Sequence, residues 1–388
     1  MKKKILVPIF FFVMTVSVTF PYCDVPDFSH MNDENKIVLL WNKGYETQTQ
    51  VDVLRGMIWS FSYLGAELPR HSFNESVEIS DSTKFTVDLG NLGFNDEAKK
   101  ALRVICDSIR RSDEYMVNGG IDAGKFFMLT LGTSGHYYRI TGVPRTLDAF
   151  RKQYKIDSTA YVFGMLNPSI SEGHRVIRFS RDTALFNIGF VAEEGTGSLE
   201  DSTFETTLFE CFDFMPNGQL RYMVYDKNGF LVSGSPDSIS DAGKPLKCMW
   251  CHEIALPTLV IENRAVQNML SNDDFVFLRN RIQDRLDKHR LSLVTDMNFA
   301  YQPEHVKAEL LYITYMEPTL MHLADEWNVS ETEAQKKLHR TSSYIFQEFD
   351  YIGRVYPRAE IDPLDTINHL EVPESARETG REVNYFVK

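Results

Sequence analysis

The sequence predicts an α+β fold: a mainly helical N-terminal part, an antiparallel β-meander in the middle and a helical C-terminal region. Three observations carry this. Apolar residues recur at helical spacing between positions 51 and 154. β-Formers dominate from 160 to 233, where two Asn-Gly turns interrupt alternating runs. Helical spacing then returns after 270. At 388 residues, 43% apolar and 24% charged, the chain is long enough for two or three domains and has the composition of an ordinary globular protein. The expected divisions are a leader over 1–22, a linker over 23–35, a helical domain over 36–155, a β domain over 156–240, a helical region over 241–355 and a polar tail over 356–388.

The chain opens on Lys2, Lys3 and Lys4, followed by an uncharged and mostly apolar run over 5–20. This is the pattern of a secretory signal, and the run is short for a membrane span. No A-x-A closes it. Cys23 stands just beyond, where a lipid-bearing cysteine would stand, but Tyr22 occupies the place of the small residue that normally precedes one. Two anchors therefore stay open, lipidation of Cys23 and an uncleaved N-terminal segment. The expected location is the periplasm, or a membrane surface facing the periplasm or the outside.

In the first domain, Val51, Leu54, Ile58 and Phe61 mark one helix, which Gly65 ends. A short extended run covers 83–89. Asn95 caps a second helix with Asp96 and Glu97 in its first turn, where carboxylates suit the helix dipole; Ala98, Leu102, Ile105 and Ile109 form its apolar face, with Cys106 a buried thiol beside it. A third helix over 122–131 leads to Gly132-Thr133-Ser134-Gly135-His136-Tyr137-Tyr138, read as an interhelical turn with an aromatic plug. A fourth starts near Thr146 and runs to Tyr154.

The β region contains Val176-Ile177-Arg178-Phe179, a run over 185–191 and another over 209–214. Asn217-Gly218 and Asn228-Gly229 follow, and both residues of an Asn-Gly pair tolerate positive φ. Leu220, Tyr222 and Val224 then share one strand face, and 209–232 reads as a three-stranded meander. Glu193-Glu194-Gly195-Thr196-Gly197-Ser198 reads as a solvated loop, because two carboxylates are the wrong charge for a phosphate cradle.

An irregular stretch over 234–247 leads to Cys248-Met249-Trp250-Cys251-His252, a CxxCH sequence. Two thiols at this spacing lie on one side of a helical turn, where each adds to one vinyl group of a porphyrin, and the next imidazole reaches the iron. These five residues resemble the haem-binding site of the c-type cytochromes. The resemblance implies one covalent haem c per chain, held by Cys248 and Cys251, with His252 as the axial iron ligand. Ala255-Leu256-Pro257 resembles the apolar stretch with a proline that follows the motif in many members, although the glycine that often precedes that proline is absent. Trp250 is placed to edge the porphyrin or to cover it. Lys244 and Lys247 are placed to pair with haem propionates or to face water.

The sixth ligand decides what such an iron does: a thioether closes it for electron transfer, and an open position admits peroxide or small gases. Met316, two residues before Pro318, is the first candidate and Met297 the second. The favoured function is electron transfer, with a haem enzyme of open sixth position as the alternative. The same residues also serve other chemistries, a redox-active disulfide between Cys248 and Cys251 or half of a zinc site in an exported binding protein.

After the motif, Phe275, Leu278, Ile282 and Leu286 line one helix, 305–316 holds a second, and Ser330 with Glu333 forms a capping box that opens a third, expected to continue toward 349. A formal net charge of -13 argues against nucleic acid as a partner and suits a basic redox protein. The sequence contains no HExxH and no nucleophile elbow.

Overall fold

The computed structural model describes residues 33–156, 161–166, 174–198, 201–252, 256, 270–301 and 304–387. The expected leader, Cys23 and most of the linker lie outside the described residues. The fold is α+β.

The N-terminal part contains β1 (Lys36–Leu40), α1 (Gln50–Tyr63), α2 (Ser72–Ser76), β2 (Val77–Asp81), β3 (Lys84–Asp88), α3 (Asp96–Arg110), α4 (Asp113–Asn118), β4 (Ile121–Asp122), α5 (Ala123–Phe127), α6 (Ser134–Thr141) and α7 (Leu147–Tyr154). It is more than helical: its four short strands make a sheet of order β2-β3-β1-β4, in which β1 pairs antiparallel with β3 and parallel with β4. Thr49 opens α1 with a capping box to Asp52. The helix buries Val53, Met57, Ser60 and Phe61, packs Leu54 and Ile58 against the core and leaves Val51 exposed, so the expected apolar face points inward except at Val51, and the buried surface is wider than that spacing suggested. In α3 the expectation holds residue by residue: Asn95 Oδ1 accepts from the Ala98 N–H at 2.9 Å, and Ala98, Leu102, Ile105, Cys106 and Ile109 are all buried.

The stretch expected to be an interhelical turn is helical instead. One π-helical turn over Met128–Gly132 joins α5 to α6, and His136 and Tyr137 sit on α6 fully buried. The expected aromatic plug is therefore present, but on a helix.

The next segment is a wholly antiparallel sheet, β5 (Tyr161–Leu166), β6 (His174–Phe179), β7 (Phe190–Thr196), β8 (Glu205–Phe214) and β9 (Leu220–Asp226), in that spatial order. It is wider than the expected three-stranded meander. The third meander strand is reduced to a short return in which the Val232 N–H donates to Val224 O. Gly218 and Gly229 take φ of +84° and +80°, as their turns require. Glu193 and Glu194 lie in β7 and are buried, not in a solvated loop. Arg151 and Arg178 each donate to Glu193 at 3.0 Å, and Arg175 pairs with Glu194.

The C-terminal part holds α8 (Pro245–His252), α9 (Asn272–Ser292), α10 (His305–Met316), α11 (Leu320–Glu326), α12 (Glu331–Lys337), the two-stranded β10 (Tyr344–Ile345) and β11 (Arg354–Val355), and α13 (Arg358–Ile361). The Ser330–Glu333 capping box forms as expected, but α12 stops at Lys337. No described helix is long and apolar enough to cross a membrane.

One apolar core runs from Ile37 through Phe150, Tyr222 and Met249 to Val383, across the divisions expected at 156 and 240. The central buried helix is α10, packed on α1 and α5. Gly56 and Gly124 let it approach closely. A Cβ on Gly124 would lie 2.6 Å from Tyr315 Cβ and closer still to the Leu311 carbonyl oxygen. We expect Gly124→Ala to cost about 1–3 kcal/mol by overpacking, read as a lower urea midpoint with an unchanged slope; an unchanged midpoint would contradict this close approach.

The polar tail is tied down. The Leu370 N–H donates to Glu114, the Tyr385 N–H donates to His136 Nε2 at 2.9 Å, and Val383 is buried.

Candidate functional site

Pro245 opens α8, where its fixed φ suits a first helical turn, and the irregular stretch before it is held by the tail: the Lys244 N–H donates to Arg377 O at 2.8 Å. On this helix Cys248 and Cys251 are one turn apart and share a side, with His252 next to the second. Leu246 and Met249 are buried, Cys248 and His252 are half-buried, and Cys251 is exposed. Neither cysteine is in a disulfide among the described residues.

One face of the five-stranded sheet backs this helix. Phe212 of β8 and Tyr222 of β9 stand directly opposite each other in the ladder, and their ring centroids lie 5.8 and 5.5 Å from that of His252. Strand alternation puts Arg175, Glu194 and Glu210 on the same face. Arg175 pairs with Glu194, its partner across the ladder, and its Nη2 donates to Glu210 at 2.9 Å. Burial pushes the Cys248 thiol well above its ordinary value; Glu210 adds to this and Arg175 opposes it. Burial lowers His252 to about 4, and the Arg175 charge acts in the same direction. His252 is thus a neutral imidazole at pH 7, the form that binds metals. Its Nδ1 is buried without a hydrogen-bond partner among the described residues.

The other side of α8 is packed. Arg377 lies over the Trp250 ring, 4.1 Å from its centroid, and pairs with Glu309 and Glu348. Leu246, Met249 and Trp250 share with Tyr63, His305 and Tyr312 a cavity of about 10 Å³, room for a single water and not for a ring system. Lys244 is buried, pairs with Glu382 and donates to Ser375 O; Lys247 pairs with Glu378 at 2.6 Å. The tail therefore already engages both lysines.

The two methionines belong to other elements. Met316 ends α10, about 16 Å along the axis from His305, and lines a separate cavity with Arg358 and His369. Met297 is buried in a loop whose neighbour Asp296 accepts from the His71 and Phe73 N–H groups. Among the described residues no three His, Cys, Asp or Glu side chains converge as metal ligands, so the zinc alternative has no ligand set there. Ala255 and Pro257 lie outside the described residues.

The donor set fits a covalently held haem in kind. It offers two thiols one helical turn apart and a neutral imidazole, with aromatic rings against the imidazole. Phe212, Tyr222, Arg175, Glu194 and Glu210 could not be singled out from the sequence as neighbours of the motif. Only the shared face of Leu220, Tyr222 and Val224 was legible. No family model, no curated protein and no solved structure matches this chain.

Proposed function

We propose that this protein is an exported c-type haem protein that transfers electrons through one haem held covalently on α8. The observation that carries the reading is the CxxCH sequence on a single helix, with its two thiols one turn apart and a neutral imidazole after the second. Cys248 and Cys251 would hold the group by thioether bonds, and His252 would bind its iron. Phe212 and Tyr222 keep water from one side of the imidazole. When bound, the iron supplies a one-electron couple. A redox protein with a basic docking face fits the net charge of -13.

A second reading, a haem enzyme with an open sixth position, draws support from Met316, which lines a cavity that α8 does not share. Protein made in a host competent for haem attachment should stay coloured after denaturing extraction. Ready binding of cyanide to the ferric protein would select the enzyme, and refusal of cyanide the carrier. Loss of all colour on extraction would overturn both.

A further inference from the structure

Away from α8, a cavity of about 620 Å³ opens between α3, α6 and the C-terminal tail. That volume is within the range of small-molecule sites. Ala101, Val104, Val143, Leu231 and Val383 give it an apolar lining, and Phe386 stands at one wall. Its charged groups are not balanced. Glu97 is neutralised by Lys100 at 2.7 Å, and Glu382 is held by Lys244 and by the Ser134 N–H at 2.8 Å. Arg139 and Arg145 line the same cavity, are exposed, and form no ion pair among the described residues, although the Arg139 charge also acts on Glu97; Arg139 lies over the Phe386 ring, 5.8 Å from its centroid. The lining thus carries two guanidinium groups that form no ion pair among the described residues, beside apolar side chains.

We propose that this cavity binds a small amphiphile, its hydrocarbon part on the Val104, Val143, Leu231 and Val383 lining and its anionic head, carboxylate or phosphate, on Arg139 and Arg145. A planar guanidinium matches either head through paired N–H donors. The cavity also has a place where it can be filled. A Cβ on Gly135 would meet only Asn384 Nδ2, at 4.0 Å, so a leucine there projects into the opening without displacing backbone.

Calorimetric titration of the full chain with laurate, dodecyl phosphate and dodecanol tests this. At least one of the two anions should bind the wild type, and whichever binds identifies the head group. Its affinity should fall tenfold or more in the Arg139→Gln/Arg145→Gln double variant, whose changes lie on the surface. Gly135→Leu should weaken it comparably, and dodecanol should bind the wild type more weakly than the anion. Failure of both anions to bind, undiminished affinity in the double variant, or equal binding of dodecanol would overturn the proposal.

Discussion

Glu326→Ala should destabilise the protein by about 3–5 kcal/mol, because it strips a buried cation of its main partner. Arg358 is 4% exposed, and its Nη1 and Nη2 reach the two Glu326 carboxylate oxygens at 2.7 and 3.0 Å. It also donates to Tyr315 O on α10 and covers the Tyr315 ring, 4.2 Å from its centroid, so the pair fixes α11 and α13 onto the central helix. Burial opposes ionisation of Glu326, but the Arg358 charge overrides it and holds the carboxyl far below its ordinary range. Removing both charges, as in Glu326→Leu/Arg358→Met, should cost less than Glu326→Ala alone, because neither half of the pair is left buried without the other. Urea denaturation of the three proteins measures this; a single-variant loss under 1 kcal/mol would contradict the pairing.

The second large effect is a loss of stability in mild acid centred on His136. This side chain is fully buried; its Nδ1–H donates to Leu129 O at 2.6 Å, and its Nε2 accepts from the Tyr385 N–H. Burial lowers it to about 4, against an ordinary value of 6.5. Between these two values the unfolded chain holds a proton that the folded chain does not, so stability falls as pH drops from 6.5 toward 4 and is unaffected by this group above 6.5. The full effect is about 3 kcal/mol. His369 acts the other way. Burial opposes its charged form, but hydrogen bonding to Glu114 raises it overall, so its contribution is present below its unfolded value and lost as pH rises through its folded one. Denaturation at pH 7, 5.5 and 4.5 should show a decline that His136→Gln makes shallower. An identical pH profile for the variant would contradict the account.

Local chemistry was legible in the sequence, and pairing across long separations was not. Asn95 with Asp96 and Glu97, Thr146, and Ser330 with Glu333 announced their helices because a cap is a contact between residues three apart. The CxxCH turn was readable for the same reason. Glu193 and Glu194 were misread because what buries them is three arginines, Arg151 on α7 and Arg175 and Arg178 on β6. The first sheet was missed because its strands are five residues or fewer and β4, with two, pairs parallel to β1 far along the chain. The buried surface of α1 is wider than its apolar spacing suggested because Gly56, a poor signal of burial, is where α10 approaches. The surroundings of His252 depend on β6, β7, β8 and β9 being in register, which no local pattern reports.

The intact mass of the denatured mature protein, expressed with the haem-attachment machinery, tests the central claim most directly. The account predicts the polypeptide plus one haem, and the bare polypeptide for Cys248→Ala/Cys251→Ala. Wild-type protein at the polypeptide mass, with both thiols open to alkylation, would contradict it.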